Sequence, residues 1–142
     1  MEGALKRFDT EVHFVLYPFV LNATSEVATQ AAWCAGEQGK FWEFHRLLYA
    51  RQTDWYRLSD PLNRLLEWAP QVQVDSAALK SCVRSGRMKQ FIEADKNYGR
   101  SLQVQSTPTL FINEQRVVGA QSEADLVRAI RRELARAQRS SP

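Results

Sequence analysis

The sequence has only two cysteines and two histidines in 142 residues. Cys34 and Cys82 lie far apart, so they are not the Cys-x-x-Cys pair used in redox chemistry, and they are too few to complete a zinc site unaided. No second His, Cys or carboxylate stands at ligand spacing around His13 or His45, so no metal or cofactor is expected. Long apolar runs are also missing, and none approaches the roughly 20 residues of a membrane span. Met1-Glu2-Gly3-Ala4-Leu5-Lys6 lacks the apolar core of a signal peptide, so no address is written in these residues. There is no internal repeat and no linker that would divide the chain. Neither charge sign dominates: 19 basic and 16 acidic residues leave a net +3, weak support for an anionic partner.

What is present suits a single soluble domain. Hydrophobic residues make up 44% and charged residues 25%, ordinary values for a globular protein. A chain of this length buries roughly 68–70% of its unfolded surface, enough for a core without staples. The strongest local pattern is Gln105-Ser106-Thr107-Pro108-Thr109-Leu110-Phe111-Ile112-Asn113, with Glu114-Gln115-Arg116-Val117-Val118-Gly119 behind it. Thr109 to Asn113 is β-branched, aromatic and mostly apolar, and a polar turn precedes Arg116-Val117-Val118, which together predict a β-hairpin. Pro108 cannot donate to a ladder, so it belongs at the strand entry and restricts Thr107 to an extended conformation. By itself an X-Pro bond is trans by default.

Ahead of the hairpin, Ala4, Leu5 and Phe8 are spaced like the last turns of an amphipathic helix, and Glu11 to Tyr17 is an apolar run of strand length that suits a strand buried on both faces. Asn22-Ala23-Thr24-Ser25 opens a helix with Thr24 or Ser25 as cap and Val27, Ala31, Cys34 and Ala35 on one face. Phe41, Phe44, Leu47 and Leu48 face inward from a second helix. Asp60-Pro61 starts a short helix carrying Leu62, Leu65, Leu66 and Trp68. Asp75 caps another with Leu79, Cys82 and Val83, and a longer one turns Met88, Phe91, Ile92, Tyr98 and Leu102 inward. Ser122-Glu123-Ala124-Asp125 caps a last helix with the stripe Leu126, Val127, Ile130 and Leu134, followed from Arg136 by a polar tail.

Ser-Thr-Pro-Thr-Leu-Phe-Ile-Asn, followed by a second short strand, a glycine and a closing amphipathic helix, resembles the cis-proline hairpin of the thioredoxin fold. Ala31-Ala32-Trp33-Cys34-Ala35-Gly36-Glu37-Gln38-Gly39-Lys40-Phe41-Trp42 is a second marker. With four or five helices between strand 11–17 and the hairpin, the likeness is to the Dsb proteins of the DsbA and DsbC type. The resemblance implies an α/β, thioredoxin-like fold over residues 1–142, with a helical insertion at about 23–103 between strand 11–17 and the 109–118 hairpin. It also implies thiol-disulfide exchange on protein cysteines, with extended or unfolded cysteine-bearing proteins as substrates, a redox partner protein, and a periplasmic or other extracytoplasmic location. In that family the residue before the cis-proline presents its backbone to the substrate, which makes Ser106, Thr107 and Pro108 the expected substrate-binding residues. The family's first strand and its Cys-x-x-Cys have no counterpart here. The expectation is therefore an N-terminally incomplete domain, no catalytic residue within the chain, and sheet edges open to self-association. Two alternatives share the fold: a peptide-binding module without redox chemistry, and a kappa-glutathione-transferase-like or isomerase-like protein with a serine-type site.

From the residues alone, Cys34 and Cys82 are buried free thiols, a disulfide, or reactive thiols helped by Lys80 and Arg84. The resemblance implies the disulfide, a second, non-catalytic bridge across the helical region. His13 and His45 read as structural. Asp95, between Phe91 and Tyr98, is read as solvated, against a buried carboxylate tuning a thiol. Trp55-Tyr56 is read as an exposed aromatic pair able to help grip an unfolded peptide. Arg128, Arg131, Arg132, Arg136 and Arg139 are read as complementing the last helix's dipole rather than contacting nucleic acid.

Overall fold

Two hydrophobic cores organise the computed structural model, which describes residues 2–140, and each core belongs to its own compact unit. One unit comprises the residues up to Leu16 together with those from Arg100 onward, and the other comprises Tyr17–Gly99. The readings that concern Met1, and residues 141 and 142, lie outside the described residues. Where the sequence reads as one domain with an insertion at about 23–103, there are thus two packed interiors.

The Tyr17–Gly99 unit is helical: α2 (Ala23–Gly36), α3 (Phe41–Ala50), α4 (Gln52–Trp55), α5 (Leu62–Trp68), a 3₁₀ turn over Ala69–Val72, α6 (Ser76–Ser85) and most of α7 (Lys89–Ser101). α2 starts one or two residues before the expected cap. Asn22 is the N-cap, its side chain accepting from Ser25 N at 2.8 Å while Ser25 Oγ accepts from Asn22 N at 3.2 Å, so two orphan amides at the helix start are satisfied reciprocally. α2 is the central helix, with Ala28, Gln30, Ala31, Ala32, Cys34 and Ala35 all buried. Small alanines let α3, α5 and α6 approach it closely, and Phe44, Leu65 and Leu79 fill the space between them with no exposure. Asp75 caps α6 as expected, accepting from Ala78 N at 2.6 Å.

Cys34 on α2 and Cys82 on α6 are joined by a disulfide, with Cα atoms 5.9 Å apart, inside the usual range for a bridge. Both are buried, at 1% and 3% exposure.

The other unit contains α1 (Glu2–Lys6), β1 (Thr109–Ile112), β2 (Gln115–Val118) and α8 (Glu123–Ser140). β1 and β2 pair antiparallel with Thr109 opposite Val118, Leu110 opposite Val117, Phe111 opposite Arg116 and Ile112 opposite Gln115. The turn is therefore Asn113-Glu114, and Asn113 takes the left-handed φ of 53° that its first central position requires, which asparagine tolerates better than most residues. Alternation sends Leu110 and Ile112 inward, against Ala4, Phe8, Leu126, Val127 and Ile130. α8 opens at Ser122, whose hydroxyl accepts from Asp125 N at 3.1 Å, and it continues to Ser140. The expected polar tail from Arg136 is thus helical, since Ala, Arg and Gln are strong helix formers.

Two expectations are corrected. Residues 11–17 form no strand: β1 and β2 are the only sheet among the described residues, and a strand exists only through a ladder partner. Nor is the segment buried on both faces. Val12, Phe14 and Leu16 are half-buried while Glu11, His13, Val15 and Tyr17 are exposed, the period-2 pattern of a one-sided strand without its ladder. The α7 stripe is also rotated from its expected position. Met88 and Ile92 are buried, but Phe91, Tyr98 and Leu102 are exposed. Ile92 sets the buried face, and Phe91 lies one helical step of 100° from it.

The disulfide closes a loop of 48 residues, for which chain entropy gives a stabilisation of about 4 kcal/mol at most. The Cys34→Ala/Cys82→Ala variant is expected to lose up to that amount in urea unfolding, and the unreduced wild-type chain should gain no mass on alkylation under denaturing conditions.

Candidate functional site

The strand entry is built by four local hydrogen bonds. Gly119 N donates to Pro108 O at 2.8 Å, closing the open end of the hairpin back onto the proline. Gly119 sits at φ 85°, a conformation that side-chain-bearing residues rarely adopt. Thr109 Oγ1 donates to Ser106 O at 2.7 Å. Gln121 Nε2 donates to Val118 O and Gly119 O, both at 3.2 Å. The Thr107–Pro108 peptide bond is cis.

Ser106, Thr107 and Pro108 are all exposed. The backbone bonds around them use Ser106 O and Pro108 O, while Thr107 N–H and C=O have no partner among the described residues. Thr107 therefore offers one free donor and one free acceptor immediately before β1, the pattern by which a sheet edge receives another extended chain.

Beside this loop lies a cleft lined by Gln103, Gln105, Ser106, Thr109, Arg116 and Val118. Its hairpin residues, Thr109, Arg116 and Val118, belong with Phe111 to the outward face, opposite the packed one. Arg116 crosses this face with its guanidinium 5.7 Å from the Phe111 ring centroid, and its Nη2 donates to Gln103 O. The sequence reading missed Arg116, Gln103 and Gly119. A two-residue turn would have revealed Arg116, because that register alone pairs it with Phe111.

The other candidates do not join this site. Cys34 and Cys82 have no thiol to offer while bridged. His13 is exposed rather than structural. His45 is half-buried among Phe41, Trp42 and Tyr49, with centroids 5.6, 5.6 and 4.8 Å away. Trp55 is not an exposed gripping residue: it is 6% exposed, and its Nε1 donates to Leu48 O at 2.8 Å. A short helix, α4, forms where a loop was expected and turns the indole inward, leaving Tyr56 outside. The α8 arginines are exposed. Arg128 pairs with Asp125, Arg132 donates to Gln115 Oε1 at 3.1 Å, and Arg136 meets Glu133 at 2.8 Å. Among the described residues no group of three or more His, Cys, Asp or Glu side chains could hold a metal ion, and no helix is long and apolar enough to cross a membrane.

A family model described as thioredoxin matches residues 5–132, a span that includes the hairpin and the whole helical unit. Among curated proteins the chain is similar to the Na(+)/H(+) antiporter NhaA 1 of Salinispora arenicola, with 34% identity over 96 residues that make up 68% of this chain and 14% of the antiporter. It is also similar to the Na(+)/H(+) antiporter NhaA 3 of Salinispora tropica, 34% identical over 92 residues, or 65% of this chain and 13% of that protein. The chain thus spans about a seventh of the length of the curated relatives it matches. No solved structure matches it.

Asp95 on α7 is half-buried, and desolvation raises its carboxyl pKa above the ordinary aspartate value. A carboxylate whose folded pKa is raised adds stability below its unfolded pKa, and that contribution is lost as pH rises through the folded value. Asp95→Asn is therefore expected to raise the thermal midpoint at pH 7. The gain should fade in scans below about pH 3.9, where the wild-type group is neutral in both states.

Proposed function

The chain belongs to the thioredoxin family, and from that premise we propose that it serves thiol-disulfide exchange on protein cysteines, as the peptide-receiving part of a Dsb-type oxidoreductase. The observation that carries this reading is Thr107, an exposed residue at the strand entry with free N–H and C=O groups. An extended substrate would pair with that backbone, which places its cysteine by main-chain bonds and leaves the neighbouring sequence free to vary. In the exchange a thiolate attacks one sulfur of the substrate disulfide, the S–S bond breaks, and the other sulfur leaves as a thiolate. The second thiolate of the attacking pair then breaks the mixed disulfide, so the substrate departs reduced and the pair is oxidised. Reversed, the same steps oxidise a substrate.

Cys34 and Cys82 do not supply that thiolate, being bridged and buried in the helical core. On this reading the attacking pair lies outside residues 1–142. A buried structural disulfide fits an oxidising, extracytoplasmic compartment. Ion exchange, named for the relatives, is not carried over to a chain that aligns with 14% and 13% of their lengths. A peptide-binding module without redox chemistry is the second reading, favoured by the bridged state of both cysteines.

An extended, reduced peptide titrated into the ¹⁵N-labelled chain is expected to shift the amides of Ser106, Thr107, Thr109 and Gly119, while the chain alone leaves insulin disulfides intact. A longer natural protein that carries a Cys-x-x-Cys beside this domain should reduce insulin where the chain alone does not. Peptide binding with no such gain would favour the second reading, and amides unmoved by any peptide would remove both. Each strand of the hairpin also has one edge without a neighbour among the described residues, and open edges recruit strands. Light scattering of the 142-residue chain should accordingly show a mass that rises with concentration.

A further inference from the structure

We propose that the cleft beside the Ser106–Pro108 loop is a subsite for a carboxylate, and that Arg116 makes it select extended substrates with an acidic side chain near the residue that pairs with Thr107. The inference rests on the peptide-receiving role of Thr107 and adds the chemistry of what is received.

Of the six residues lining the cleft, Arg116 alone is charged, and the others contribute amides, hydroxyls and one valine. Its guanidinium is held from two sides, by the carbonyl of Gln103 and by the ring of Phe111, so the order needed to bind an anion is already present in the free chain. The carbonyl takes Nη2, and no acceptor among the described residues meets Nε or Nη1. A guanidinium presents five N–H donors in a rigid fork that matches a carboxylate. Gln105 and Ser106 add polar atoms at the rim, and Ser106 also belongs to the peptide-facing loop. A substrate strand lying along that loop would therefore have alternate side chains within reach of the cleft.

An amine or guanidinium side chain would meet like charge there, and an apolar one would leave the Arg116 fork without a partner. Glu114, at the far end of the hairpin turn, is not among the lining residues.

The test uses the 142-residue chain and fluorescein-labelled eight-residue peptides in which a single Glu or Gln is scanned through an otherwise neutral sequence. At one or two positions the Glu peptide is expected to bind about fivefold tighter than its Gln counterpart, the upper end for a partly exposed ion pair, and 0.5 M salt should shrink the ratio. Arg116→Gln should remove the preference, and Arg116→Lys should keep part of it. Gln105→Glu, which leaves the Arg116 contacts in place and neutralises the cleft, should remove it as well. Equal affinities for Glu and Gln peptides at every position, or a preference that survives Arg116→Gln, would overturn the subsite and leave the role of Thr107 standing. Failure of every peptide to bind would overturn both.

Discussion

A two-stranded sheet is marginal in water by itself, and everything the loop at Pro108 can do depends on the helix that supports β1 and β2. Leu126, Val127 and Ile130 of α8, with Ala4 and Phe8 from the N-terminal segment, cover Leu110 and Ile112. That burial fixes which side of each strand faces in, because a slip of one residue would turn every side chain over. Once the inner face is fixed, Phe111, Arg116 and Val118 must point outward, and Gly119 must fold back to reach Pro108 O. Thr107, just ahead of β1, stays exposed.

The helical unit solves a different problem. α2 is wrapped by its neighbours on most sides, so it needs small residues where other helices cross it, and alanine supplies them at 28, 31, 32 and 35. The bridge from Cys34 to Cys82 ties α2 to α6 inside this core. Oxidative chemistry there is structural. The two sulfurs are shielded, whereas the loop at 106–108 is exposed but has no thiol. The exposed loop and the cross-link thus lie in separate units of the chain.

Much of the helix content was legible because start signals are local. Asp75 was placed as a cap from one side chain and its spacing, and the stripe on α8 follows from a period of 3.6. At Asn22 the reading was off by two or three residues because Asn, Thr and Ser are all good caps in one short run. Only the side-chain geometry chose among them. Phe91, Tyr98 and Leu102 were misplaced for a related reason. An aromatic stripe and the Ile92 face lie one step apart on the same helix, and periodicity does not say which of the two is covered.

What the sequence determined by itself was the hairpin, its proline entry, most helix boundaries and the thioredoxin-like class, because these depend on neighbours within a few positions and on short motifs. What only the tertiary structure decided was the fate of residues far apart in the chain. Glu11 to Tyr17 has the composition of a strand, yet a ladder requires a partner. Trp55 looked exposed until α4 turned its indole toward Leu48 O. The pairing of the two cysteines and the setting of Arg116 against Gln103 and Phe111 likewise join groups through space. Side-chain type fixes what a residue can do, but only the packed chain fixes what it meets.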